Sequence, residues 1–143
     1  MNYEMRVDNS VDEVGESDFK NSFYRYSEDE SCAPLFLQGD ALQVLRKMPS
    51  CSIDMAITSF SNYMMKREYF SDGCIEPSVN DLMDDILAIC AEIYRVLKPT
   101  GSFWFHLGDD CVNGNLALIP ARVAIRLTDE VGFTLHNQIA WNK

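Results

Sequence analysis

The sequence of 143 residues lacks the patterns that mark membrane, secreted and zinc proteins. No apolar run approaches the about 18–20 residues that cross a bilayer, and the N-terminus has no basic segment followed by an apolar one, so neither a membrane span nor a secretory signal is expected. With two isolated histidines and no C-x-x-C pair, no metal site is expected. The odd number of cysteines favours reduced thiols and a cytoplasmic location; they are Cys32, Cys51, Cys74, Cys90 and Cys111.

Basic residues are also scarce. Lys and Arg total 12 against 22 Asp and Glu, which gives a net charge of −10. Because phosphate binding draws on clustered Lys and Arg, this balance argues against a nucleic-acid interface over the whole surface and allows a local one. Residues 1–31 hold nine of the acids and three of the bases, so the remainder carries only −4. We expect residues 1–33 to be an acidic, poorly ordered N-terminal segment and residues 34–143 to form one folded domain.

Beyond residue 34, short apolar runs alternate with segments of helical spacing. The predicted strands cover 35–37, 53–57, 102–107 and 134–141. Two of the predicted helices cover 41–47 and 119–131, and Gly132 would stop the latter. Between them, Ser78 and Asp81 form a capping box, and apolar residues recur at helical spacing from Leu82 to Leu97, where the run Lys98–Pro99–Thr100–Gly101 would end the helix. This order predicts an α/β fold, in which a mostly parallel sheet is flanked by helices.

Active sites of parallel sheets lie at the carboxyl ends of the strands, where three polar stretches follow predicted strands here. These stretches are Gly39–Asp40, Thr58 to Tyr69 and Gly108 to Asn115. Asp40 is most simply the N-cap of a helix, and the acids after Gly108 are most simply part of a turn. The chain has neither a glycine-rich phosphate loop nor a recognisable Ser-His-Asp arrangement, so the residues alone indicate a polar site at the strand ends and no particular reaction.

The order of several short motifs is similar to that of a known family. The motifs are Leu35 to Leu42, Ile53 to Ser59, Lys66 to Tyr69, Ile93 to Trp104, Leu107 to Asp109, Ile119 to Arg122 and Trp141 to Lys143. Together they resemble the N-terminal part of the β-group amino-methyltransferases of DNA, which methylate cytosine N4 or adenine N6 with S-adenosylmethionine. The resemblance implies a partial Rossmann-like methyltransferase domain over 34–143, with double-stranded DNA as its partner.

The family's catalytic motif is Ser, Asp or Asn, then two prolines, then Tyr or Phe. It accepts hydrogen bonds from the amino group of a flipped base and stacks an aromatic ring on that base. This chain has no proline pair, and two alignments are possible. Aligned from the left, Ser59 is the polar acceptor; aligned from the right, Phe60 takes that position and Tyr63 is the stacking ring. In the family a backbone carbonyl also accepts from the amino group, and Ser61 or Asn62 could supply it here in place of proline. The candidate catalytic residues are therefore Ser59, Ser61, Asn62 and Tyr63.

The resemblance also suggests residues that contact the cofactor and DNA, and two regions of the family have no match in this sequence. Asp40 is a candidate contact to the cofactor, and Lys66 and Arg67 are candidate contacts to DNA phosphates. The family's main S-adenosylmethionine loop and its target-recognition region have no counterpart here, so a C-terminal half or a second subunit is expected to complete the enzyme. The alternatives are an inactive methyltransferase-like binding or regulatory module and a methyltransferase acting on RNA or a small substrate.

Overall fold

The computed structural model describes residues 6–8, 23–28, 34–60, 79–112 and 114–141. Strands and helices alternate along most of this part of the chain. Its strands are β1 (Arg6–Asp8), β2 (Leu35–Leu37), β3 (Ile53–Ser59), β4 (Leu97–His106), β5 (Cys111–Val112) and β6 (Asn115–Leu116). Its helices are α1 (23–27), α2 (Ala41–Lys47), α3 (Val79–Val96) and α4 (Ile119–Arg126), the last followed by a π-helical turn (Leu127–Val131).

Parallel pairing dominates the strands, as the sequence predicted. β1 lies parallel to β2, and β3 lies parallel to β4. The two-residue strands β5 and β6 form an antiparallel hairpin. The α/β prediction is thereby confirmed. The acidic segment contributes two pieces of regular structure, β1 and α1, while its proposed boundary at residue 33 stays a prediction.

The helix α2 begins where the sequence predicted. The Asp40 carboxylate accepts a hydrogen bond of 3.1 Å from the backbone N–H of Gln43, which makes Asp40 the N-cap. At the other end, the Arg95 guanidinium of α3 donates to the carbonyl oxygens of Leu45 and Met48 at 2.7 and 2.9 Å. The Leu45 carbonyl oxygen also accepts a hydrogen bond of 3.0 Å from the Met48 backbone N–H. The bonds from Arg95 add to this closure of the helix end and tie α2 to α3.

The connection from α3 to β4 is tighter than predicted. Ile53 pairs with Leu97 and Met55 with Ser102, so the single residue Asp54 lies opposite the four residues 98–101, which bulge out of the ladder. Gly101 suits this crowded position, because a Cβ atom would lie 3.1 Å from the Asp54 carbonyl oxygen and 2.9 Å from a Leu97 methyl group, and these neighbours would have to shift. The strand was expected to begin at Ser102; it begins at Leu97 since β3 already offers a partner there.

The hydrophobic core lies on one face of the β3–β4 pair. It joins α3 to α4 and the π-helical turn through Leu82, Met83, Ile86, Leu87, Cys90, Ile119, Val123 and Leu127. Phe103 and Phe105 of β4 pack against this cluster. Burial among apolar side chains raises the pKa of the Cys90 thiol to about 12, so this thiol stays protonated at neutral pH.

The opposite face of the same strand pair is apolar and exposed. Met55, Ile57 and Trp104 lie on it, and they are 57%, 74% and 53% exposed. Parallel strands in α/β proteins are usually covered on both faces. We call these three residues the outer face.

Two further predictions were wrong, one of a strand end and one of a whole strand. Thr58 and Ser59 do not stop β3 but extend it, because they pair with Phe105 and His106. The segment 134–141 forms no strand, and its apolar residues Leu135, Ile139 and Trp141 are 60%, 68% and 70% exposed. An alternating sequence pattern becomes a strand only where a neighbouring strand supplies hydrogen bonds. Gly132, with φ of 100°, does end the preceding helical segment as predicted.

None of the helices in the described ranges is both long and apolar enough to cross a lipid bilayer.

Candidate functional site at the carboxyl ends of β3 and β4

Ser59 and His106 are the last residues of two neighbouring parallel strands, β3 and β4. The register of the sheet sets them side by side, on the same face as Met55, Ile57 and Trp104. The Ser59 hydroxyl oxygen and His106 Nδ1 are 2.8 Å apart, a hydrogen-bond distance, and both side chains are exposed. A hydroxyl and an imidazole are therefore joined at the sheet edge where ligands of parallel sheets bind.

An aromatic ring adjoins this pair. The centroid of the Trp141 ring lies 5.3 Å from that of His106, and the two ring planes are inclined by 58°. Trp141 lies 35 positions beyond His106 in the chain and reaches it from the segment that follows the π-helical turn. The site thus combines a hydroxyl, an imidazole and a large exposed aromatic surface.

Phe60, the next residue after Ser59, is directed towards the core. Its ring meets that of Phe105 edge to face, with centroids 5.4 Å apart, and it packs against the buried cluster. Its backbone N–H donates to the His106 carbonyl oxygen at 3.2 Å and so prolongs the ladder by one bond. Of the two alternative acceptor positions, 59 and 60, only 59 presents a side chain to the exposed edge of the sheet.

Asp109, in the loop after β4, has a structural role. One of its carboxylate oxygens accepts hydrogen bonds from the backbone N–H groups of Asp110 and Ile119, at 2.9 and 3.0 Å. The second of these N–H groups belongs to the first residue of α4, so Asp109 ties the loop to that helix. The predicted structural role is thus seen for Asp109, although its carboxylate is bonded to the backbone rather than left in solvent.

The remaining candidate residues divide into two groups. Asp40 follows β2, which pairs with β1 rather than with β3 or β4, and it caps α2 as described. Ser61, Asn62, Tyr63, Lys66 and Arg67 lie outside the described residues.

His106 is the site residue that sequence reasoning missed. It is far from the second histidine, and the sequence has no cysteine pair, so its residue type alone predicts no site. The available signal was positional: Ser59 follows the predicted strand 53–57, and His106 lies near the carboxyl end of the predicted strand 102–107. Among the described residues, no three His, Cys, Asp or Glu side chains are grouped in a way that could hold a metal ion.

Comparison with known proteins gives a uniform result. A family model named N6_N4_Mtase and described as DNA methylase matches residues 53–143. The type II methyltransferase M.SfiI of Streptomyces fimbriatus is 33% identical over 73% of this chain and 29% of its own length. The type II methyltransferase M.Cfr9I of Citrobacter freundii is 32% identical over 78% of this chain and 46% of its own length. This chain therefore spans less than half of these curated relatives.

A solved structure agrees with these matches. The PvuII DNA methyltransferase, titled cytosine-N4-specific, superposes with a TM-score of 0.53 at 26% identity, over 68% of this chain and 34% of that one. The likeness is thus confined to about a third of the solved enzyme.

Proposed function

The chain belongs to the DNA methylase family, and from this premise we propose that it forms the catalytic part of an enzyme that methylates an exocyclic amino nitrogen of DNA. The base is cytosine at N4 or adenine at N6. One observation carries the proposal: the Ser59 hydroxyl lies at the carboxyl end of β3, paired with His106 and facing out of the sheet. This position suits a side chain that accepts a hydrogen bond from a base flipped out of the duplex.

The chemistry explains why such an acceptor is useful. The lone pair of an exocyclic amino nitrogen is delocalised into the base ring, so the nitrogen is a poor nucleophile. An acceptor that binds one N–H holds the amino group in place for attack, an effect of positioning. S-adenosylmethionine, when bound, supplies a methyl group on a sulfonium. As the N–C bond forms, sulfur keeps the electron pair of the broken S–C bond and the nitrogen releases one proton to solvent.

The described residues offer few groups for the cofactor. Asp40 is an exposed carboxylate at the carboxyl end of β2, where it could accept one hydrogen bond, although one of its oxygens already caps α2. We assign its other oxygen as a contact to S-adenosylmethionine. The rest of the cofactor site would then lie in the polypeptide that completes the enzyme, either a C-terminal half or a second subunit. Lys66 and Arg67 remain proposed contacts to DNA phosphates.

The test of this function is transfer of a labelled methyl group to unmethylated duplex DNA. The chain is assayed alone and in the complete system, which also contains the protein encoded by the reading frame that continues or adjoins that of this chain. We expect transfer only in the complete system, and loss of transfer in Tyr63→Ala and Asn62→Ala. Tyr24→Ala, which changes a tyrosine that is 51% exposed in α1, should retain full transfer. Full transfer in the Tyr63 and Asn62 variants would place the site elsewhere.

An inactive binding module is the second candidate. The missing proline pair favours it, because two adjacent prolines would stiffen the backbone that carries the acceptor groups. The same assay separates the two functions: an inactive module would bind duplex DNA in the complete system and transfer no methyl group.

We also propose that the outer face binds the polypeptide that completes the enzyme. The chain spans 29% and 46% of two curated relatives, so most of a relative's length is available to cover this face. A second copy of the chain is a poorer occupant, since each copy has a net charge of −10. Ser59 and His106 follow the outer face at the carboxyl ends of the same two strands, so a polypeptide bound to this face would also border the candidate site.

Ile57→Asp should weaken binding of the completing polypeptide by about 30-fold or more, since a carboxylate would replace one of the most exposed apolar side chains of the face. Ile125→Asp is the matched control, because Ile125 is 59% exposed on α4. Calorimetric titration measures both. Equal affinities for the two variants, or a self-associated chain that Ile57→Asp dissociates, would contradict the proposed occupant.

A further inference from the structure

The Ser59 hydroxyl can serve a base amino group only in one orientation. A hydroxyl has one hydrogen to donate and two lone pairs to accept with. The amino group offers N–H donors, while its own lone pair is needed for the new bond to carbon. A hydroxyl that turned its hydrogen towards the amino nitrogen would occupy that lone pair and oppose the reaction. Some group must therefore hold the Ser59 hydrogen away from the base.

His106 is placed to do this. Its Nδ1 is 2.8 Å from the Ser59 oxygen, and in the neutral ring with its proton on Nε2 this atom is an acceptor. The backbone pairing of Ser59 with His106 and the bond from the Phe60 N–H to the His106 carbonyl oxygen fix the spacing of the two residues. The Trp141 ring lies beside the imidazole, with the two ring centroids 5.3 Å apart.

We propose that His106 is a positioning residue: its Nδ1 accepts the Ser59 hydrogen and leaves the Ser59 oxygen as an acceptor for the base amino group. The inference rests on the proposed amino-methylation. It adds His106 to that reaction, in a role that depends on the Nδ1 atom. His106 itself touches neither the base nor the methyl group, and acts only through Ser59.

Two substitutions of His106 distinguish the contribution of its Nδ1 acceptor from that of its aromatic ring. His106→Phe keeps an aromatic ring beside Trp141 and removes Nδ1, whereas His106→Asn can place an amide oxygen near the position of Nδ1. In the methyl-transfer assay with the complete system, we expect His106→Phe to lower kcat by about 10- to 100-fold with little change in KM for DNA. His106→Asn should recover most of that loss. His136→Phe, which alters the other, exposed histidine, should match the wild type.

Either of two results would overturn the proposal: a wild-type kcat in His106→Phe, or an equal loss in the Phe and Asn variants. If the wild-type complete system transfers no methyl group, the proposed function fails first, and a second measurement still tests the hydroxyl orientation. Nitrogen-15 NMR of the imidazole in the whole chain should show Nδ1 unprotonated and accepting in the wild type, and this signature should change in Ser59→Ala. A protonated Nδ1 in the wild type at neutral pH would overturn the proposal without reference to activity.

Discussion

Replacing Ser59 with alanine is expected to lower kcat for methyl transfer about 100-fold, equivalent to about 2.7 kcal/mol of lost transition-state stabilisation. The variant removes the only side-chain acceptor that the described end of β3 presents outward, since Phe60 is packed on Phe105. The methyl side chain of alanine fits in the space of the serine side chain, so the sheet should keep its register. KM for DNA should change less than kcat, because the bond matters most when the amino nitrogen is aligned for attack.

Ser102→Ala is the matched control. Ser102 is also an exposed serine in the β3–β4 pair, but it pairs with Met55, near the opposite end of the strands from His106. Its loss should leave kcat unchanged. A Ser59→Ala enzyme with wild-type kcat would show that the acceptor comes from the segment after residue 60, and would remove the reason for the proposed role of His106.

Replacing Ile86 with alanine is expected to lower the free energy of unfolding by about 3–4 kcal/mol. Ile86 is fully buried at 0% exposure in the middle of α3, within the cluster that joins this helix to α4. Truncation removes apolar contacts and leaves a cavity, since neighbouring helices cannot close completely around it. The loss is a large part of the about 5–15 kcal/mol that stabilises a typical domain.

Urea denaturation followed by circular dichroism measures this effect. Ile139→Ala, which shortens a side chain that is 68% exposed, should change the free energy of unfolding by less than about 0.5 kcal/mol. An Ile86→Ala protein as stable as the control would mean that the α3–α4 cluster is not the stabilising core.

Much of the fold could be predicted because the controlling signals are local. The Asp40 side chain reaches the N–H of a residue three positions ahead, so its capping role depends on few other parts of the chain. The apolar spacing in α3 and the αL glycine at 132 are likewise local. The segment 134–141 shows the limit of this reasoning, because its strand-like pattern has no neighbouring strand to pair with among the described residues.

The sequence predicted where the candidate site lies in the fold, but it predicted only some of the residues that form the site. Its location followed from the rule for parallel sheets, and Ser59 was named from the motif order. Neither approach could show that His106, which stands 47 positions later, lies within hydrogen-bond distance of the Ser59 hydroxyl. That contact depends on the register between β3 and β4, which in turn depends on how many residues bulge out at 98–101.

The sequence by itself determined the α/β class, the start of α2 and the likeness to a family of DNA methylases, since each depends on residue types at short or ordered spacing. The tertiary structure alone decided which side chains share an edge. It turned Phe60 inward and Ser59 outward, joined Ser59 to His106, and left Met55, Ile57 and Trp104 on an exposed face. The physical reason is the two-residue period of a strand: a shift of one residue in register exchanges the two faces, and long-range packing selects between them.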